Sequence, residues 1–152
     1  MNKVCTISQC EKVTVCVASH FTRVISSVDT IVHSYSIIPP VLFGDNRSVT
    51  LAPHNASYPK LEVHLKNASI PFAKEALAHN WRKPCRVKTD SSAISFMMPQ
   101  DFARMALPAE FNESGELFLA PPEFVEELEL RERKFMEIRE KIRGAKFSRE
   151  VE

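Results

Sequence analysis

Glycine is scarce: the chain has three in 152 residues, so it holds no GxGxxG and no P-loop, which argues against a phosphate cradle of backbone amides. HExxH and GxSxG are missing as well, and no cofactor is expected. There is no excess of either charge. Twenty Lys and Arg against 19 Asp and Glu leave +1, and residues 1–54, 55–120 and 121–152 are each near balance. Such a chain has no general electrostatic reason to bind nucleic acid or an anionic surface. Long apolar runs are absent too. The longest, Ile37-Ile38-Pro39-Pro40-Val41-Leu42-Phe43, is far short of a membrane span and is broken by two prolines, so no membrane insertion is expected. No apolar h-region follows Met1-Asn2-Lys3, which favours a soluble cytoplasmic protein over a secreted one. The four cysteines, Cys5, Cys10, Cys16 and Cys85, form no CxxC pair and match no zinc spacing; they read as reduced core thiols with no metal. Without secretion, the sequons at Asn46, Asn55, Asn67 and Asn112 carry no glycan.

What is present is enough apolar sequence, 44% of residues, for one domain with a real core. Through its first third the chain repeats at an offset of 18 residues. Ile7, Ile25 and Phe43 form one column, Val13, Ile31 and Val49 a second, Val15, His33 and Leu51 a third, with Ser8, Ser26 and Gly44 as a small-residue column. Each copy reads as a short β-run, a polar corner and a second alternating run such as Val13-Thr14-Val15-Cys16-Val17, whose period of 2 no helix sustains. Equal copies in register suggest a mainly β fold, a parallel β-helix of about 18 residues per coil; a hairpin meander with accidental periodicity is the alternative. Nothing polar caps the first coil, so its open end implies a longer chain, a covering surface or self-association.

Residues 1–54 are then the last coils, and 55–120 a mixed segment packed on them. In that segment 58–65 reads as a short helix with Pro59 at its first position, 71–79 as another, 81–84 as a loop and 93–98 as a strand. Phe102, Met105, Leu107, Phe111, Leu117 and Phe118 are scattered as if wrapping the sheets. Residues 121–152 hold the clearest helix, predicted over 121–143, with tandem proline at its start, Gly144 at its end, glutamates in its first turns and Lys141 and Arg143 in its last. Phe124, Leu128, Phe135, Ile138 and Ile142 form a heptad-like seam interrupted by Arg131. That seam suits either packing on its own domain or docking a partner.

Catalytic candidates are few. Cys85 with His54, His64 or His79 would be a Cys/His pair, but nothing local marks Cys85 as activated. His33, in an apolar column, reads as a core histidine with a satisfied ring nitrogen. Arg23 aligns with Cys5 and Val41, placing a guanidinium where the other copies are apolar. It either reaches water at a coil edge or is a rigidly held arginine able to stabilise a transferring phosphoryl group.

The stretch Pro39-Pro40-Val41-Leu42-Phe43-Gly44-Asp45-Asn46-Arg47-Ser48-Val49-Thr50-Leu51-Ala52-Pro53-His54-Asn55, continuing through Tyr58-Pro59-Lys60-Leu61-Glu62-Val63-His64-Leu65, resembles the tubulin-binding cofactor C domain-containing protein 1 family. The resemblance continues in order through Trp81 and Pro84, Phe96-Met97-Met98-Pro99-Gln100-Asp101-Phe102, Leu107-Pro108-Ala109-Glu110-Phe111 and Leu130-Arg131-Glu132-Arg133. It implies a right-handed parallel β-helix truncated at its N-terminal end, with an α-helical C-terminal extension. It further implies a non-catalytic scaffold at the centrosome, spindle pole or basal body that supports Golgi and microtubule organisation. GTPase-activating members of the wider family carry an arginine finger preceded by Gln-Leu. Here Ser19-His20-Phe21-Thr22-Arg23 lacks that dipeptide, which leaves Arg23 the alternative, as an activator of tubulin or an Arf-like GTPase. Expected partners are proteins, tubulin or a small GTPase among them, and the candidate contact residues are Asp45, Asn46, Arg47, Phe135 and Ile138.

Overall fold

The computed structural model describes residues 3–72, 75–107 and 117–151; Phe111, the end of the 107–111 motif and the Asn112 sequon lie outside the described residues. The chain is mainly β. Its strands are β1 (Val4–Ser8), β2 (Thr14–Ser19), β3 (Phe21–Ile25), β4 (Val28–Ser36), β5 (Val41–Phe43), β6 (Arg47–Pro53), β7 (Cys85–Val87) and β8 (Ile94–Phe96), and its helices are α1 (Leu61–Asn67), α2 (Glu75–Ala78) and α3 (Pro122–Val151). The strands alternate between two four-stranded sheets, β1-β3-β5-β7 and β2-β4-β6-β8. Every described pair is parallel, from Val4 beside Phe21 to Val49 beside Ile94. A hairpin meander would have paired them antiparallel, so that alternative is excluded.

The repeat is real but not of constant length. Ile7 lies beside Val24, 17 residues on, and Val24 beside Leu42, 18 on. In the second sheet Val15 lies beside Val32, again 17 on, and Val32 beside Leu51, 19 on. The columns that face each other across the core are therefore Ile7, Val24 and Leu42 in one sheet, and Val32 with Leu51 beside Thr30 with Val49 in the other, all buried. The gap-free offset of 18 is one residue too long for the first step of both sheets and one too short for the second step of the second sheet. His33 consequently leaves the column of Val15 and Leu51, where Val32 stands, and pairs with Cys16 and Ala52. Each coil bends at a corner bounded by two left-handed residues, and the third corner is one residue longer than the first two. Gln9, Ser26 and Gly44 take a left-handed backbone at one end, and Lys12, Asp29 and Ser48 at the other, with φ between 44° and 82°. Glycine is needed only at Gly44, where a Cβ would stand 2.7 Å from Ser26 Oγ.

After β6 the next strands pair 44 and 45 residues on, as Val41 with Cys85 and Val49 with Ile94. The intervening segment covers the outer face of β4. Leu61 and Leu65 of α1, with Ile70 and Leu119, pack on Tyr35. This is why β4 is buried on both faces from His33 to Ser36. Helix α1 begins at Leu61, not near Pro59, because 59–60 form a turn whose Tyr58 carbonyl accepts from the Leu61 amide at 3.1 Å. Strand β7 was not foreseen. Residues 80–82 form a 3₁₀ turn that returns the chain to the sheet, and 91–93 form another before β8.

Helix α3 closes the stack. Phe124 and Leu128 join the main core, and Phe124 meets Trp81 at 5.4 Å and Phe102 at 5.5 Å, both edge-to-face. Arg131 donates to the Phe102 and Pro99 carbonyls, which explains the polar interruption of the seam. The helix does not stop at Gly144; it continues to Val151. A glycine ends a helix only where the chain must reverse there, and a lone interior glycine costs about 1 kcal/mol. No described helix is long and apolar enough to cross a membrane.

Candidate functional site

Alternation along β1, β3, β5 and β7 sends Ile7, Val24 and Leu42 inward and the intervening residues outward. The outward rows are Thr6, Arg23, Val41 and Cys85, then Ser8, Ile25, Phe43 and Val87. Arg23 therefore aligns with Thr6, one residue past the expected Cys5. It is exposed, and its Nε donates to Thr6 Oγ1 at 2.7 Å. Among the described residues no carboxylate pairs with it. Around it the sheet face is apolar and solvated, with Val4, Phe43 and Val87 each more than 40% exposed. A charge held by one hydroxyl amid apolar side chains can meet an anion or an acidic group on a docked surface.

The corner at 45–47 divides into two parts. Asp45 and Arg47 are exposed and pair with each other at 3.1 Å. Asn46 is 3% exposed and turned inward: its Oδ1 accepts from the Ser27 amide at 2.8 Å, and its Nδ2 donates to the Val24 and Phe43 carbonyls and to Thr89 Oγ1. Thr89 Oγ1 in turn donates to the Gly44 carbonyl at 2.7 Å. Asn46 thus ties three successive turns of the chain together, and only its neighbours reach solvent.

Phe135 and Ile138 stand on α3 beyond the domain, 66% and 56% exposed. Every residue of 133–146 is exposed, whereas Phe124 and Leu128 are buried. The structure does not bring the corner, Arg23 and these helix residues together by any described contact.

Sequence reasoning missed a cavity of about 390 Å³ on the outer face of the second sheet, lined by Cys16, His54, Tyr58, His64, Met105 and apolar residues of α1. Cys16, not Cys85, shares it with His54 and His64, because Cys16 points outward on β2 while Cys85 sits exposed on β7. The signal was the alternation of Thr14, Cys16 and Ala18 against the inward valines. Burial pushes the Cys16 thiol up against the opposing pull of the Asn55 and Ala56 amides, and a protonated thiol is a poor nucleophile. Burial also lowers His54 to about 4, helped by the neighbouring His33 and opposed by a hydrogen bond with the Ala56 backbone, so its imidazole is neutral. His33, also lowered by burial, donates Nδ1–H to the Pro53 carbonyl at 2.9 Å, which is the satisfied core histidine expected. Among the described residues no group of three or more His, Cys, Asp or Glu converges on a metal position.

The family described as Tubulin binding cofactor C matches residues 1–82. Three curated relatives are called TBCC domain-containing protein 1. The protein of Danio rerio is 29% identical over 147 residues, covering 91% of this chain and 24% of its own length. Those of Homo sapiens and Gallus gallus are 25% and 22% identical over 107 residues, covering 68% of this chain and 18% and 19% of their own lengths. The chain thus spans a quarter or less of the relatives it matches. No solved structure matches it.

Proposed function

The chain belongs to the tubulin binding cofactor C family, and from that premise we propose that it is a non-catalytic cytoskeletal scaffold or adaptor. The proposed setting is the cytoplasm, at the centrosome, spindle pole or basal body, where it would contribute to microtubule and Golgi organisation through protein partners. Its two alternating parallel sheets are read as the faces of a right-handed parallel β-helix, a rigid body that orders little on binding. The observation that carries the scaffold reading is the free half of α3, which leaves the domain with Phe135 and Ile138 in solvent. The test is localisation of the chain bearing Phe135→Glu and Ile138→Glu. Cutting the helix away at residue 121 would also remove the core residue Phe124 and confuse unfolding with loss of contact. Loss of localisation from a folded variant supports the scaffold; retention removes the helix from it.

The exposed, carboxylate-free Arg23 favours a second reading, GTPase activation toward tubulin or an Arf-like protein. Single-turnover GTP hydrolysis separates the two. An arginine finger accelerates by roughly 10³-fold or more and loses that in Arg23→Ala. The scaffold gives no acceleration and is indifferent to the substitution.

A further inference from the structure

Helix α3 carries its apolar seam past the edge of the domain. Phe135 follows Leu128 at a step of seven across Arg131; Ile138, Ile142 and Ala145 continue from Phe135 at steps of three and four, and these four residues are exposed. Such a stripe, one residue per turn, has the width of a coiled-coil seam and is narrower than the broad apolar face of a helix lying in a membrane. The residues bordering it are basic. Lys134 and Lys141 precede stripe residues on one side, and Arg139 and Lys146 follow them on the other, so that these four hold the g and e positions of the heptads. None of the four has an ion-pair partner among the described residues. Glu137 and Glu140, the two acids of the segment, lie on the outer face, where Glu140 meets Arg143 at 3.9 Å.

Resting on the scaffold reading, we propose that the stripe of Phe135, Ile138 and Ile142 docks an amphipathic helix of another protein whose flanking positions are acidic. A second copy of this chain is a poor occupant. In a parallel pair Lys134 would face the copy's Arg139 and Lys141 its Lys146, and an antiparallel pair sets Lys134 against Lys141; like charges at these positions oppose association. An acidic-flanked helix meets all four cations with opposite charge and covers the apolar residues that water now contacts. The seam is also continuous with a stretch that already packs against protein, through Phe124 and Leu128.

The experiment uses the full chain and a fluorescein-labelled three-heptad peptide with Leu and Ile at its a and d positions and Glu at every e and g, kept apart from its own copies by those charges. A second peptide carries Lys at e and g. Anisotropy at roughly 50 mM salt should show the acidic peptide binding about tenfold or more tightly than the basic one, weakening as salt rises. In the variant K134E/R139E/K141E/K146E, whose fold is checked by circular dichroism, the preference should reverse. Equal affinity for the two peptides, binding of neither, concentration-dependent dimerisation lost in Phe135→Glu, or binding only to phosphatidylserine vesicles would each overturn the proposal. Peptide binding that persists while localisation is unaffected by Phe135→Glu and Ile138→Glu would remove the helix from the scaffold reading and leave the docking site standing.

Discussion

The two halves of α3 share one seam spacing and meet opposite fates. In 122–132 the seam residues Phe124 and Leu128 are buried, while in 133–146 Phe135, Ile138 and Ile142 are each more than half exposed. Their charge differs as sharply. The docked half has five glutamates and one arginine; the free half has six basic residues and two glutamates. The difference lies in what stands opposite. Trp81 and Phe102 offer aromatic edges to Phe124, and Arg82 both stacks over Phe124 at 5.3 Å and bridges Glu123 at 2.8 Å. Arg131 then takes up the Phe102 carbonyl, and past the Arg104–Glu132 pair no described residue of the domain covers the helix. Amphipathic spacing shows that a helix has a face to bury; it does not say whether the chain itself supplies the cover.

The largest break of this comparison is a matched pair of truncations. Phe124→Ala removes a ring with no solvent exposure from the junction of Trp81 and Phe102 and should cost about 3–5 kcal/mol. Phe135→Ala, one seam position of the same type in solvent, should stay within about 0.5 kcal/mol. Urea unfolding midpoints check both. If the two substitutions cost the same, the free half is packed in solution and the contrast fails.

Acid should sharpen the comparison next, because the buried titratable groups lie in the body and not in the free helix. His54 takes its proton near pH 4 when folded, and near 6.5 when unfolded. Between those values the unfolded chain binds more protons, so stability is complete above pH 6.5, falls as pH falls, and stops falling on this account below pH 4. The loss is about 3 kcal/mol for His54, and His33, lowered in the same direction, adds to it. Glu123, held below the usual carboxylate range by Arg82, contributes its loss only at still lower pH. Unfolding midpoints at pH 7.5, 5.5 and 4.5 should descend in wild type and descend less steeply in His54→Gln, where His33 still contributes; a flat wild-type profile would show that the histidine is not buried neutral.

Most of the strand content was legible because period 2 and copies of nearly equal length are local properties of the chain. The exact register was not. The left-handed corners at Gln9 and Lys12 absorb one residue fewer than those at Gly44 and Ser48, a difference that backbone geometry sets and composition hides. The longer corner lengthens only the second step of the second sheet; the 17-residue first step, common to both sheets, carried Arg23 from Cys5 to Thr6 and His33 to the other face of its sheet. Asn46 was legible as a turn residue, but its inward side chain depends on Ser27 and on Thr89, which is 43 residues away. The cavity at Cys16 and His54 joins β2, the end of β6 and α1, a meeting that no local pattern announces. What spacing could deliver was Phe135 and Ile138 as seam residues; what it could not deliver was that the domain ends before reaching them.

The smallest expected effect concerns Gly144, and it reads the comparison from the helix backbone. A Cβ there meets nothing within 4 Å, and the residue lies inside α3 with helical residues on both sides. In a helix held by packing, a favourable substitution raises the stability of the whole domain. In a free stretch it acts on the local helix–coil balance alone, since few isolated helices of this length are stable in water without cover. Gly144→Ala should therefore contribute up to about 1 kcal/mol to local helix formation. The expected reading is a modest gain in far-ultraviolet helical signal and slower amide exchange through 133–146, with the thermal midpoint of the domain unchanged. A midpoint that rises with the helical signal would mean that the far end of α3 unfolds together with Phe124 and the sheets, and that the two halves form one cooperative unit.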